Sequence, residues 1–571
     1  MKTVRILEEK IAIPSNGFDH VFSFPSNPAD SFPHHYINQR DFDSVYDELY
    51  TKLCHVLEQN PFKTMFSHEG VYLLWCLKKE LFFYIFSMVM RHETFKRVLN
   101  RNQDSKFLIT NAQDSHQVSL ANVVKESRLD NHSRISFADN SLLAKLSDQL
   151  PEPKKLFWPG VFSFGDLAHS QIATFADYER SKSVLVRLKD RKPALFLNNP
   201  SPRVIFNALK NGFPFYQSSF SSKAWRTYQQ KAEVFSALLS NNRVFENFKI
   251  REVNCEPLLN WKMNDLFVSQ LPKLLFEIDQ MNQFFMRAKS LKSALLDEDV
   301  DVSQNAFCQV ARKFGVVTFV ELHGALGEKH GFMPFTADNM FVWGNAQKEK
   351  LIGWGCNGER ILVSGCSRYS AFQKMDSSDA KKKVAKDLGF DPNEKMVVLA
   401  FMPVSRWYQY FEEHMKQTIS ETLRVISEFT DQARFVIKLH PADENIDFYR
   451  ACIKQNKIED RILMVQKYNP LLLAKASDFL IIYRSTYAVD GFALDKPVIC
   501  LYDEDDDLIC EYRKFSVFQY SNDKSMLRQM CQNLLAKPFV RPDSWNLAKS
   551  ECLNAGVDPD EFIAAQLLNV S

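Results

Sequence analysis

Four positions in the second half of the chain have the residue types and spacing of an anion site. His440-Pro441 closes the run ARFVIKLHP. A histidine at the carboxyl end of a strand offers a ring N–H to a phosphate oxygen, and the proline behind it, with no N–H of its own, stops the strand and fixes the loop. A strand also ends in His-Pro without function, so the pair gains meaning only from its surroundings. Those lie at 471–503, LLLAKASDFLIIYRSTYAVDGFALDKPVICLYD, which reads as helix, strand, then Ser485-Thr486 at the mouth of a short helix. A helix N-terminus exposes unpaired backbone N–H groups and a partial positive charge, and hydroxyls there complete an anion site. Asp490 lies four residues beyond Thr486, one turn deeper on the same face, where it accepts from ribose hydroxyls if the pair holds phosphates. Gly491 lets that helix approach a neighbour closely. On spacing alone, Ser485 and Thr486 read equally well as ordinary helix caps.

Such residues need strands to present them. From about 181 the rhythm is α/β: SVLVRL and PALFLN as strands, PRVIFNALKNG as a helix, SALLDED as a strand, QNAFCQVARKFG as a helix closed by glycine, and VVTFVELHG as a β-branched strand. It restarts after about 345 with NMFVWG, RILVSG, KMVVLAFM, ARFVIKLHP, RILMVQ, DFLIIY and PVICLY as candidate strands. The expected fold class is α/β, with two Rossmann-like domains facing a cleft, 181–345 and 346–571, and ligands beyond the carboxyl ends of the strands. Residues 1–180 read as a mixed, mainly helical extension. It holds helical patterns from Phe42 to Gln59 and from Gly70 to Asn100, the Pro-rich PEPKKLFWPG at 151–160, and room for the first strand of the next domain.

Composition narrows the classes. Lys plus Arg is 71 against 69 for Asp plus Glu, so no net field draws the chain to nucleic acid. The eleven cysteines include no CxxC pair, as expected of reduced thiols in a cytoplasmic protein. MKTVRILEEKIAIPSNG lacks the apolar core of a signal peptide. The stretch Val71 to Met90 carries Lys78, Lys79 and Glu80 at its centre, which suits a buried or interfacial helix better than a span. No HExxH, clustered Cys/His, Walker loop or GxGxxG is found, and Asp503-Glu504-Asp505-Asp506-Asp507 reads as a solvated loop rather than a metal site. No metal and no cofactor is expected.

Taken in order, His440-Pro441, Ser477-Asp478, Ser485-Thr486, Asp490 and Leu494-Asp495-Lys496-Pro497 resemble the pattern of the CDP-glycerol glycerophosphotransferases that build teichoic acids. The pattern is also similar to that of bacterial polysialyltransferases and capsule transferases of the GT-B fold. A second part of the resemblance is VELHGALGEKHGFMPFTADNMFVWG at 320–344, followed by Val363-Ser364-Gly365-Cys366-Ser367-Arg368-Tyr369. It covers about residues 290–505 and departs from the family in two places. Ile482-Tyr483-Arg484 stands where relatives have Thr-Asp-Tyr, and Ser367 replaces a familiar proline.

The resemblance implies a GT-B architecture and a nucleotide-activated donor, linked to CMP, CDP or UDP, bound through His440, Pro441, Ser485, Thr486 and Asp490. Arg406, in a loop where relatives keep an arginine, and Arg484 are further candidates for a diphosphate. His323, in the "HG" after a strand of the first domain, takes the place of a general base, and Glu321, two residues earlier, is expected to orient or replace it. Lys438 either adds positive potential beside His440 or is an edge residue, and His330-Gly331 reads as loop. The implied reaction moves a sugar or glycerol-phosphate to a hydroxyl of a glycan or lipid-linked glycan, without metal, at the inner face of a membrane. Two rivals stand. A non-hydrolysing sugar-nucleotide 2-epimerase would need a fuller set of cleft carboxylates, and a non-catalytic glycan-binding protein of this fold would have no reason to keep His440, Ser485 and Asp490.

Overall fold

The structure, a computed structural model, describes residues 39–101, 107–109, 135–137 and 161–570, less 176–177, 199, 201, 219–221, 328, 403–411, 442, 444 and 502–508. Residues 1–38, the Pro-rich 151–160, Ser405-Arg406 and the acidic run 503–507 therefore lie outside the described residues. The chain packs as two compact units. One gathers residues up to Val161 with Ser218–Asn282 and Asp301–Val310, and the other takes Phe162–Gln217, Gln283–Val300 and Ala311–Ser571.

The larger unit is built on two sheets, whose strands are numbered here in chain order. The first holds β1 (Phe162–Phe164), β2 (Ile172–Phe175), β3 (Ala194–Asn198), β4 (Phe215–Ser218), β5 (Ser293–Leu296), β6 (Val317–Glu321), β7 (Asn339–Val342) and β8 (Ile361–Val363). Their spatial order is β8-β7-β6-β5-β2-β3-β4-β1, with β1 antiparallel to β4. The second holds β9 (Lys395–Phe401), β10 (Ala433–Lys438), β11 (Ile462–Val465), β12 (Phe479–Tyr483), β13 (Val498–Leu501) and β14 (Gln519–Ser521), ordered β11-β10-β9-β12-β13-β14 and parallel throughout. In the second sheet this is the strand order 3-2-1-4-5-6 of the doubly wound dinucleotide-binding fold, and β2 to β8 repeat it with one strand more. The central strands are apolar without alternation, Phe479–Tyr483 being buried along its whole length, because helices cover both faces of a parallel sheet.

Three expectations about elements are corrected. SVLVRL is not a strand: it ends the helix Tyr178–Arg187. Val184, Leu185 and Leu188 are buried while Val186 is 48% exposed, a helical spacing that a short apolar run conceals. NMFVWG and RILVSG do not restart the rhythm; as β7 and β8 they complete the first sheet, pairing β6 with β7 and β7 with β8 in parallel. The first sheet thus runs from Phe162 to Val363, beginning ahead of the boundary expected at 181 and ending past the one expected at 345. The chain also returns. The final helix, Pro559–Leu568, packs Ile563, Ala564 and Leu567 against Ile172, Leu295, Phe319 and Phe341 of the first sheet, and Ser293 Oγ donates to the Leu567 carbonyl at 2.7 Å.

The second sheet has its own core, from Val397, Leu399, Phe435, Ile437 and Ile481 to Met415, Ile419 and Leu423 of the helix Glu412–Ile426. The expectation for Gly491 holds. A Cβ there would sit 2.7 Å from Val498 Cγ2 and 3.0 Å from Leu480 Cδ1, so the helix Tyr487–Ala493 lies closer to β12 and β13 than any side chain permits.

In the smaller unit the two aromatic-rich patterns form the helices Gln39–Leu57 and Lys78–Arg101. Tyr46 packs edge-on against Phe82 and Phe86, and the Lys78 ammonium lies 4.5 Å from the centre of the Trp75 ring. Val71 to Met90 is therefore a two-residue strand, a short turn of helix and the start of a buried helix. Among the described residues no helix is long and apolar enough to cross a membrane. Asp279 gathers His68 Nε2 at 2.8 Å, the Tyr228 hydroxyl at 2.6 Å and Lys231 Nζ at 3.2 Å. Partial burial pushes its carboxyl up, but these three partners outweigh it and hold the pKa at about 2.

Candidate functional site

In a doubly wound sheet the ligand crevice opens where the strand order reverses, beyond the carboxyl ends of the two central strands. In the second sheet these are β9 and β12, paired in register from Val397↔Phe479 to Phe401↔Tyr483. Met402 N donates to the Tyr483 carbonyl at 2.9 Å, so the strands stay joined to their last residues. Arg484 then takes a left-handed φ of +48°, which breaks the strand and turns Ser485 and Thr486 out at the head of the helix Tyr487–Ala493. Ser485 Oγ accepts from Tyr487 N at 3.3 Å, a long capping bond. Thr486 occupies the N-cap position yet caps nothing: its Oγ1 accepts from Ala325 N at 3.2 Å. The plain reading of the pair as helix caps thus describes Ser485 and not Thr486.

That bond joins the two sheets at their edges, because Ala325 follows His323-Gly324 in the loop after β6. A Cβ on Gly324 would meet Thr486 Oγ1 at 3.5 Å. His323 is half-buried, and its ring stacks on Phe332 with centroids 4.7 Å apart and planes 20° apart. The backbone before it is pinned by Leu322 N donating to the Phe341 carbonyl and by the buried Trp343 indole donating to the Leu322 carbonyl at 3.0 Å.

Glu321 behaves differently from the expectation that it would serve His323. Its hydrogen bonds come from the Ser367 hydroxyl and the Ser367 N–H, not from His323. Alternation would put residues 321 and 323 on one face, but β6 ends at Glu321 and the chain turns before His323. Burial pushes the Glu321 carboxyl up to about 7; the two bonds from Ser367 and the Arg368 charge oppose that rise, and Asp560 adds to it. Ser367, the residue that departs from the family pattern, is therefore the one that anchors Glu321.

Asp490 is engaged as well. Its Oδ1 accepts from the Tyr369 hydroxyl at 2.7 Å and from Arg368 Nη2. The Arg368 guanidinium lies 5.7 Å from the centre of the Trp343 ring and 5.0 Å from that of Tyr369. Burial works against the charge on Arg368, but Asp490 outweighs it, while burial keeps the Tyr369 hydroxyl protonated as a donor. Arg368, Tyr369 and Ser367 are site residues that the sequence reading quoted as motif letters but gave no task. The sequence held both residues as motif letters, but which carboxylate the half-buried arginine meets is set by the fold.

The His-Pro turn is tied by hydrogen bonds. Gln466 Nε2 donates to the carbonyls of His440, Pro441 and Asp443 at 3.0–3.3 Å, and Asp443 takes bonds from Asn445 N and the Tyr449 hydroxyl. The His440 side chain reaches solvent, yet the protein packed round the ring and the Lys438 charge both lower its pKa. It is neutral at neutral pH, with one N–H to give. Lys438 is not an edge residue, because β10 lies between β9 and β11. Its ammonium is buried against the Leu439 and Gln466 carbonyls at 2.7 and 2.9 Å, and burial lowers its pKa. A cavity of about 200 Å³ opens beside the crevice at the ends of β12, β13 and β14, between Tyr483, Leu501, Ser521, Glu421 and Lys524.

Residues 352–523 match the family model described as CDP-Glycerol:Poly(glycerophosphate) glycerophosphotransferase, a span that takes in β8, all six strands of the second sheet, the His-Pro turn and the Ser-Thr helix. This region is of transferase type. No curated protein matches the chain by sequence. Among solved structures, the chain is similar to the UDP-GlcNAc 2-epimerase of Methanocaldococcus jannaschii, with a TM-score of 0.46 and 12% identity over 70% of this chain and 99% of that one. It is also similar to the UDP-GlcNAc 2-epimerase of Neisseria meningitidis bound to UDP-GlcNAc, with a TM-score of 0.45, 12% identity and the same coverage. A third is a glycosyltransferase from Rickettsia africae, with a TM-score of 0.40 and 10% identity over 71% of this chain and 99% of that one.

Proposed function

We propose that this transferase moves a sugar or glycerol-phosphate from a CMP-, CDP- or UDP-linked donor to a hydroxyl of a surface glycan, a capsule polymer or a lipid-linked precursor. The observation that carries the reading is the Thr486–Ala325 hydrogen bond, which sets a hydroxyl pair at the switch point of one sheet against a histidine loop of the other. The match of residues 352–523 to a glycerophosphotransferase family supports it.

In this reading Ser485 and Thr486 hold the donor phosphates, and neutral His440 gives its ring N–H to the departing one. Arg484 and Arg406 add positive charge. Asp490 keeps Oδ2, which makes no hydrogen bond among the described residues, for a donor hydroxyl. His323 takes the proton of the acceptor hydroxyl as its oxygen attacks the donor carbon or phosphorus, and the bond to the nucleotide phosphate breaks. Donors fixed before the reaction stabilise the charge on the leaving phosphate without rearranging. The donor side belongs to the second sheet and the acceptor side to the first.

The test is titration of CMP, CDP and UDP against the protein and against Ser485→Ala/Thr486→Ala. The double variant should stay folded and lose about 1–3 kcal/mol of nucleotide binding. Equal affinities in the two proteins would remove the assignment. Epimerised donor without acceptor-linked product would replace it with the epimerase.

A further inference from the structure

Arg368 has hydrogen-bonding capacity that its partners in the fold leave unused. A guanidinium carries N–H bonds on each of its nitrogens, yet a single nitrogen makes all the hydrogen bonds of Arg368 among the described residues. Nη2 donates to Asp490 Oδ1 and, at 3.1 Å, to the Tyr369 hydroxyl, which donates in turn to the same oxygen at 2.7 Å. Nε is buried without a partner. Nη1 has no partner among the described residues either, but it is not enclosed, and the side chain is 29% exposed. The held nitrogen fixes the plane of the group, and the free corner is open to solvent.

The neighbours of Arg368 locate that corner. Asp490 N donates to the Thr486 carbonyl at 3.4 Å, so the two residues are a helical turn apart on one face, with about 5–6 Å between their Cβ atoms. Arg368, bound to Asp490, therefore stands beside the hydroxyl pair of the second sheet. Its guanidinium also lies 5.7 Å from the centre of the Trp343 ring. The Trp343 indole holds the carbonyl of Leu322, the residue before His323, and Thr486 Oγ1 takes the N–H of Ala325, two residues after His323. Arg368 is thus tied both to the hydroxyl pair and to the backbone that carries His323.

We propose that Arg368 binds the nucleotide phosphate that leaves in the reaction, with Nη1 donating to one of its oxygens. The proposal rests on the reading of Ser485 and Thr486 as donor-phosphate residues and adds a group from the first sheet to them. When the acceptor oxygen bonds to the donor carbon or phosphorus, the bond from that atom to the phosphate oxygen breaks, and its electron pair stays on the phosphate. The acceptor proton goes to His323, and Arg368 gives up none, because a guanidinium stays protonated. Asp490 balances the charge of Arg368, so the arginine acts at short range, through N–H groups aimed before the ligand arrives. A guanidinium already held in place also spares the ordering of a flexible side chain on binding.

Nucleotides and nucleosides separate this role from a structural one. CMP, CDP and UDP, with cytidine and uridine as phosphate-free controls, are titrated against the wild type and against Arg368→Lys, which keeps a cation for Asp490 but lacks the planar fork. The variant should lose about ten- to hundredfold in nucleotide affinity and keep its nucleoside affinity. In the wild-type protein, the saturating nucleotide should protect Arg368 from phenylglyoxal, read by peptide mass spectrometry, and its nucleoside should not. If Arg368→Lys does not fold, this protection decides. Wild-type nucleotide affinity in a folded variant overturns the proposal, as does an Arg368 that phenylglyoxal modifies equally fast with and without nucleotide. Either result leaves the reading of Ser485 and Thr486 in place. A wild-type protein that binds no nucleotide more tightly than its nucleoside overturns that reading as well.

Discussion

At the end of β6 in the first sheet stand Glu321 and His323; at the end of β12 in the second stand Ser485 and Thr486, with His440 on the neighbouring turn. The two sheets share one strand order, so the difference between their edges is a difference of side chains on a common frame. On the first sheet the buried groups are acids that organise loops. Glu321 holds Ser367, and Asp299, just beyond β5, accepts from the backbone N–H groups of Thr336 and Ala337. The second presents two half-buried hydroxyls and an imidazole that reaches solvent, groups that hydrogen-bond without carrying a negative charge of their own. The lesson is that one winding supplies two kinds of edge, and that Arg368, leaving the first sheet and ending on Asp490 of the second, ties them together.

The comparison breaks most sharply at His323. If the first edge holds the base, His323→Ala should cut turnover by about 10²–10⁴-fold while nucleotide affinity stays near wild type. Single-turnover rates alongside nucleotide titration separate the two, and a variant that turns over normally would move the base elsewhere.

Arg368 tests the tie itself. Its guanidinium is half-buried against Asp490 and two aromatic rings, so Arg368→Ala, by leaving the buried Asp490 without its cation, should cost up to about 3 kcal/mol in denaturant unfolding. Arg368→Lys restores the charge without the planar fork and should recover only part of this.

Glu321 sharpens the contrast through pH. Its carboxyl titrates near 7 when folded against an ordinary 4.5, so across that interval the folded state binds more protons than the unfolded one. Stability therefore falls as pH rises from the lower value through the higher. Glu321→Gln, neutral at every pH and still able to accept from Ser367, should remove that fall, with an advantage over wild type of up to about 3 kcal/mol above neutrality. Melting temperatures that decline in parallel for both proteins would show that Glu321 is not the titrating group. The smallest effect is the loss of nucleotide binding expected for Ser485→Ala/Thr486→Ala, which concerns the second edge alone.

The amino-acid sequence by itself determined the strand-forming runs of the second sheet and the order of its motifs. KMVVLAF, ARFVIK and FLIIY are buried on both faces, and such runs remain apolar whatever packs on them. The turn at His440-Pro441, the cap at Ser485 and the close approach at Gly491 were legible for the same reason: turn, cap and contact are local demands on one or two residues. The helix at 178–187 was not, because a six-residue apolar run satisfies either period until its exposed member, Val186, is known. Only the tertiary structure decided that β7 and β8 close the first sheet and that the final helix returns to it, since strand pairing depends on residues far apart in the chain. It alone gave Thr486 to Ala325, Asp490 to Arg368 and Tyr369, and Glu321 to Ser367. A side chain's type says which hydrogen bonds and charges it must satisfy, but its partner is whichever group the fold brings within about 3 Å.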